Sequence, residues 1–175
     1  MVQSTRTTGY LVFYKQIQTK FGNIQNQWTY AKNQLLSDKD TRQALMFISS
    51  PHVQFEGNKD FICTLNYVFS INEDTLSLEV NRRSQDVILG ITYDYPWEFL
   101  LLEKMYNELK PTYPSLKRGT YTMFCNNIHL YERNFEIVKK MLNDYAAGEY
   151  KSVDINDGVD SKILDNYVLN KDFGN

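Results

Sequence analysis

The sequence predicts an α+β fold built as one domain, and three observations carry that expectation. Phe61, Cys63, Leu65, Tyr67, Phe69 and Ile71 recur at every second position, and after Asn72-Glu73-Asp74 the alternation resumes with Leu76, Leu78 and Val80. This is the pattern of a half-buried β-hairpin. Farther on, Phe99, Leu102, Met105, Tyr106 and Leu109 repeat at three and four, the period of a helix with one buried face. With 175 residues and 42% apolar content, the chain can bury one real core but not two comfortable ones.

In chain order, residues 1–9 are polar and read as a flexible arm. Tyr10, Phe13, Tyr14 and Ile17 follow helical spacing up to Phe21, although their β-branched neighbours also allow a strand. A helix over Ile24 to Leu36 places Trp28, Ala31 and Leu35 on one face and ends at Asp38-Lys39-Asp40. Ala44 to Ile48 suits a buried strand. Pro51-His52 and Glu56-Gly57-Asn58 mark the loop before the hairpin, with His52 read as a surface residue. The alternation puts Cys63 inside the first hairpin strand, and the second strand runs into the polar cluster Arg82-Arg83-Ser84-Gln85-Asp86. Pro96 at a first-turn position predicts a helix through Lys110, closed by Pro111 and Pro114. A strand over Thr120 to Phe124 and a helix over Glu132 to Ala147 follow, the latter with Phe135, Val138, Met141, Leu142 and Tyr145 on its apolar face. Residues 148–175 read as an irregular segment with a short strand around Lys162 to Leu169.

Composition bounds the partners. A net charge of −2 and a pI near 5.7 give no basic stripe for duplex nucleic acid, whereas a small anionic ligand needs a few local arginines. Two cysteines do not make a disulfide framework, which points to a reducing compartment. No apolar run approaches the ~20 residues that span a bilayer, so no membrane partner is expected and a cytoplasmic location is; no metal is expected either.

Cys63, the aromatic Phe69, and Arg83-Ser84-Gln85-Asp86-Val87-Ile88-Leu89-Gly90 stand in the order Cys, aromatic, Arg-Ser-x-Asp-x-x-x-Gly. Gly119-Thr120-Tyr121 and Asn127-Ile128-His129-Leu130-Tyr131 follow. Together these resemble the thymidylate synthase family, and within it the deoxycytidylate hydroxymethylases, over roughly Phe21 to Leu142. The resemblance implies a mixed sheet packed on helices, with the back of the sheet forming a homodimer to which Phe47, Tyr67 and Phe69 are candidate contributors. It also implies a pyrimidine deoxynucleotide monophosphate as ligand and 5,10-methylenetetrahydrofolate as cofactor. For a phage-encoded member the location would be the host cytoplasm.

The chemistry suits these residue types. A pyrimidine is unreactive at C5 until a nucleophile adds at C6, and a thiolate is both nucleophile and leaving group. Free cysteine ionises near pH 8.5, so a neighbouring cation is needed, and Arg83 is the candidate. Alternation alone would make Cys63 a core residue; the resemblance makes it the nucleophile. It implies Asp86 as a catalytic or base-orienting carboxylate, Arg83 and Ser84 as phosphate ligands, and His129 and Tyr131 as partners of the sugar 3′-hydroxyl. Arg42 would reach across the dimer to the partner's phosphate, with Gln43 where most members have a second Arg. Arg6 is a fainter phosphate-binding candidate. Asp94 stands where most synthases have Asn; an aspartate accepts from the 4-amino group of cytosine and, when protonated, donates to N3. Thr64 stands where synthases commonly have His, as in the hydroxymethylase branch.

The expected reaction is therefore hydroxymethylation of dCMP at C5 through a Cys63 adduct. One part of the pattern is unmatched: no Glu precedes Glu56, so the family's general acid/base in a Glu-Leu-x-Trp-Phe-like helix, and the tryptophans lining the folate pocket, have no counterpart. Glu98 and Glu103 occur on the helix after the cluster. The alternative is a reduced nucleotide-binding member, acting as a regulator or as the decoy partner of a full-length relative.

Overall fold

A hairpin of two long strands forms the middle of the sheet: β4 (Thr64–Asn72) and β5 (Thr75–Arg82), joined by Glu73 and Asp74, both in the left-handed region (φ 45 and 60). Paired positive-φ residues match the right-handed twist of the flanking strands. The computed structural model describes residues 17–19, 22–24, 26–51, 54–59 and 61–149. The N-terminal arm with Arg6, residues 10–16, His52, and the expected strand near Lys162 to Leu169 lie outside the described residues.

The sheet is mixed. Its order is β3-β4-β5-β7, with β3 (Leu45–Phe47) antiparallel to β4 and β7 (Lys117–Cys125) parallel to β5. A parallel neighbour requires a crossover, supplied here by the helix α2 (Leu89–Leu109). Two short strands, β6 (Gln85–Asp86) and β8 (Ile128–His129), pair in parallel just beyond the ends of β5 and β7. A separate small pair, β1 (Ile17–Thr19) and β2 (Gly22–Ile24), precedes α1 (Gln27–Ser37). Of the two readings open for Ile17–Thr19 the strand is the one observed, and strand replaces the helix expected to start at Ile24.

Alternation decides which face is which. Tyr67, Phe69, Ile71, Leu76, Leu78 and Val80 are buried and share one core with α1 and α2, where Phe69 packs edge-on against Trp28 at 5.9 Å. Asn66, Val68 and Ser70 occupy the intervening positions, on the face that carries exposed Phe47, Glu79 and Phe124. The expectation that Tyr67 and Phe69 lie on the back of the sheet is therefore corrected. Their odd register points them at the helices, and of the three candidates Phe47 alone is on the outer face.

Helix α1 starts as a cap dictates: Asn26 Oδ1 accepts from Thr29 N at 2.7 Å, and Trp28, Ala31 and Leu35 are buried as their spacing requires. Helix α2 begins seven residues before Pro96, which sits in its interior. Asp86 Oδ1 accepts from Ile88 N at 2.9 Å and turns the chain into the helix ahead of the proline. Pro96 has no N–H for the carbonyl one turn back, at Thr92, whose hydroxyl donates to Ile88 O at 2.7 Å. After a 3₁₀ turn (Glu132–Asn134), α3 (Phe135–Ala146) forms as spaced, yet no residue of it is buried, and Ile137, Met141, Leu142 and Tyr145 are exposed.

Candidate functional site

The chain is brought to one place at the far end of the hairpin from its turn. Thr64 pairs with Arg82, Arg82 with Cys125, and Gln85 with Ile128. Segments remote in sequence, 61–64, 82–86 and 125–131, therefore meet at one end of the sheet.

Cys63 is not within a strand. It is the residue before β4 and it is exposed, because the register slips between Thr64 and Asn66 and Leu65 becomes an extra residue. A one-residue bulge reverses the alternation, so a position that simple period two would bury is turned outward. The backbone N–H of Arg83 donates to Cys63 O at 3.0 Å. Its guanidinium lies over the Phe61 ring at 4.7 Å, donates through Nε to Ile62 O at 3.0 Å and through Nη2 to Phe61 O, and brings Nη2 to 3.6 Å from Cys63 Sγ. One arginine thus ties down the loop that holds the thiol and keeps an N–H against the sulfur.

The next residue turns elsewhere. Ser84 Oγ lies 3.3 Å from His129 Nδ1, and the His129 ring meets Tyr131 edge-on at 5.0 Å. The β6–β8 pairing fixes this register, with Gln85 N donating to Asn127 O at 2.8 Å and Val87 N to His129 O at 3.1 Å. Arg83, Ser84, His129 and Tyr131 so line the same strand ends as Cys63, with Asp86 at the base of α2.

Beneath them is a buried cluster that sequence reasoning misses. Arg82 is 2% exposed, donating through Nη1 to Asp94 Oδ2 at 2.8 Å and through Nη2 to Glu98 Oε1. Glu98 is fully buried and also accepts from Tyr67 Oη at 3.1 Å and Tyr121 Oη at 2.6 Å. Gln85, equally buried, donates to Asp94 Oδ2 at 3.3 Å. Burial pushes the Glu98 carboxyl above its usual range against the pull of Arg82 and the Tyr121 hydroxyl. Burial, then the Glu98 charge, pushes the Tyr67 and Tyr121 phenols up, so both stay donors. A signal does exist: Arg82 continues the alternation of Leu76, Leu78 and Val80, and Glu98 precedes Leu101, Leu102 and Met105 at helical spacing. Charges at buried positions of two patterns that face each other are expected to pair.

Arg42 is not brought to this place. It is exposed in the loop between α1 and β3, at the hairpin-turn end, where neighbouring Lys39 pairs with Asp74 at 3.0 Å. Ala44 O accepts from Phe69 N, and Cys63 lies six residues before Phe69, about 20 Å along the strand. Among the described residues no group of His, Cys, Asp and Glu could hold a metal ion, and no helix is long and apolar enough to cross a membrane.

Comparisons with known proteins give the family and the fold. The family described as thymidylate synthase matches residues 5–173. The chain is 30% identical over 118 residues to the deoxycytidylate 5-hydroxymethyltransferase of enterobacteria phage T6, covering 64% of this chain and 48% of that protein. It is 31% identical over 118 residues to the deoxyuridylate hydroxymethyltransferase of Delftia phage PhiW-14, covering 61% of this chain and 32% of that one. Among solved structures, thermostable thymidylate synthase A from Bacillus subtilis superposes with a TM-score of 0.61 at 19% identity, over 75% of this chain and 45% of that one. The chain thus spans about half the length, or less, of these relatives.

Proposed function

We propose, because this chain belongs to the thymidylate synthase family, that its strand-end cluster is a pyrimidine-deoxynucleotide site at which Cys63 activates dCMP for one-carbon transfer to C5. The observation that carries this reading is the Arg83 guanidinium, 3.6 Å from an exposed thiol, next in sequence to a serine that reaches His129. Sulfur attack at C6 forms the S–C6 bond and moves the C5=C6 pair onto C5, making C5 the nucleophile. After C5 has gained its carbon and lost its proton, expulsion of sulfur restores the double bond. Ser84 and Arg83 hold the 5′-phosphate, His129 and Tyr131 the sugar, and Asp94 accepts from the 4-amino group of the ring. Asp86 orients the base and the start of α2.

Methylenetetrahydrofolate, when bound, supplies a carbon at the oxidation level of formaldehyde. Leu89 (49% exposed) and Tyr93 (68%), one turn apart at the start of α2, are the apolar side chains that would meet such a group, although the tryptophans expected to line its pocket have no counterpart. A flat ring suits an apolar surface. A second copy of the chain would cover the outer sheet face around Phe47 and Val68, and Arg42, too far from its own Cys63, would serve the partner's phosphate.

One observation favours a second reading, nucleotide binding without transfer. Glu98, the glutamate that joins the cluster, is sealed from solvent with its oxygens already taken by Arg82, Tyr67 and Tyr121, so it cannot relay protons to a substrate. Tritium release from C5-labelled dCMP and dUMP, with and without methylenetetrahydrofolate, separates the two. Folate-dependent release from dCMP that Cys63→Ser abolishes is the expected result. Nucleotide binding with no release supports the second reading and refutes the first.

A further inference from the structure

The Arg82 cluster is a costly construction, and stability does not account for it. An ion pair taken out of water gains little over an apolar pair of the same volume, and this one also leaves Arg82 Nε and Gln85 Oε1 buried without hydrogen-bond partners. Its geometry, by contrast, has one clear output. Both donors that reach Asp94, Arg82 Nη1 at 2.8 Å and Gln85 Nε2 at 3.3 Å, converge on the same oxygen, Oδ2. Neither reaches Oδ1, and the Asp94 side chain is 40% exposed. Two donors on one oxygen fix the carboxylate plane and leave the second oxygen to accept from outside.

The donors themselves are immobilised. Arg82 is held from behind by Glu98, which is gripped in turn by two tyrosine hydroxyls from β4 and β7. Gln85 is pressed against the start of α2 at Gly90, where a Cβ would lie 2.5 Å from Gln85 Nε2 and 3.4 Å from Asp86 Cβ. A side chain in place of Gly90 would push on this amide and move it.

We propose that Arg82 and Gln85, backed by Glu98, are positioning residues that present Asp94 to the base as an oriented acceptor, and so set the preference for a ring carrying an amino group at C4 over one carrying a carbonyl. This rests on the reading that Asp94 meets the base. An amino group donates to Oδ1, whereas O4 of uracil sets acceptor against acceptor, a mismatch that is penalised once the base covers the carboxylate. Without the clamp the carboxyl can rotate, and the two rings become more nearly equivalent to it.

The test is the ratio of dissociation constants for dCMP and dUMP by titration calorimetry, in which the common sugar and phosphate contacts cancel. Wild type is expected to prefer dCMP and Asp94→Asn to reverse the order. Gln85→Leu and the paired Arg82→Leu/Glu98→Leu variant are expected to lower the preference by about tenfold or more, the worth of a charge-assisted hydrogen bond, and Arg82→Lys to retain part of it. A merely structural role would shift urea midpoints and leave the ratio alone. If Asp94→Asn reverses the order while Gln85→Leu and the paired variant keep the wild-type ratio, the clamp is refuted and the base reading stands. If Asp94→Asn changes nothing, or wild type binds neither nucleotide, the base reading fails and takes the clamp with it. Should the paired variant not fold, Gln85→Leu, which leaves the Arg82–Glu98 pair intact, decides between these outcomes by itself.

Discussion

Glu98→Ala is the substitution whose cost the structure specifies best. It removes a carboxylate with no solvent exposure that accepts from Arg82, Tyr67 and Tyr121. Breaking a buried pair by deleting one partner costs about 3–5 kcal/mol, and Arg82, which keeps Asp94 at 2.8 Å, puts this case at the lower end. The loss of this acceptor by the hydroxyls adds about 1 kcal/mol or more, less whatever Tyr121, which is not fully buried, recovers from water. Against the ~5–15 kcal/mol that holds a typical domain, this is a large fraction. With a urea dependence of about 2 kcal/mol per molar, a loss of about 4 kcal/mol moves the unfolding midpoint down by about 2 M. Replacing both charges, Arg82→Leu with Glu98→Leu, removes the desolvation penalty along with the attraction and leaves only the cost of the two hydroxyls, so it is expected to be more stable than Glu98→Ala. Asp94 tolerates that change because its side chain is 40% exposed and can rehydrate. Trp28, 4% exposed and packed on Phe69, reports the transition by fluorescence. A Glu98→Ala variant within about 1 kcal/mol of wild type, or a double variant as weak as the sum of its singles, would refute the reasoning.

Three further outcomes follow from local geometry. Glu73→Gly relieves a side chain held at φ 45 and keeps the Asp74–Lys39 pair at 3.0 Å, so thermal unfolding should show a gain of about 0.5–1 kcal/mol, and a loss would contradict the turn. At Gly119 a Cβ would lie 2.5 Å from Leu76 O, so Gly119→Ala should cost about 1–3 kcal/mol in a urea melt. Burial alone would raise the Glu108 carboxyl, but Lys104 and Lys32, each at 2.8 Å, outweigh it and hold it below its ordinary 4.5. A carboxyl depressed on folding contributes stability above that ordinary value and loses it as pH falls through the folded one. Midpoints followed from neutral pH down through the carboxylate range should drop less steeply in Glu108→Gln, and identical acid limbs would exclude the assignment.

Much of the fold is legible in the sequence because it rests on long, clean periods. The alternation along β4 and β5 and the buried face of α1 are patterns that one strand or helix enforces on itself. What escapes reading depends on contacts between elements. The bulge at Leu65, which turns Cys63 outward, is a slip against β5 that period two along β4 does not reveal. Proline's preference for a first turn points to Pro96 as the start of α2, whereas the Asp86 side chain starts the helix earlier, at Leu89. Glu98 looks incidental in the sequence because a lone glutamate on a helix is usually solvated, and its partners come from three separate strands. Helix α3 shows the converse: an apolar stripe at regular helical spacing that is exposed among the described residues.

The two neighbouring arginines at the end of β5 show how little in the sequence separates one task from another. Arg82 points into the core and is sealed there; Arg83, one residue on, points out and lies against the thiol. They carry the same side chain, so their identities are conferred by parity along the strand and by nothing else. A deletion of one residue anywhere in Thr75–Asn81 would bring Arg83 into the inward slot, an insertion would bring Arg82 into the slot beside the thiol, and in either case the other arginine is carried out of place. Changes of length in this strand should therefore be all-or-none in effect, while changes of residue type can be graded. Here it is the counting of residues, more than their chemistry, that the chain cannot afford to miscopy.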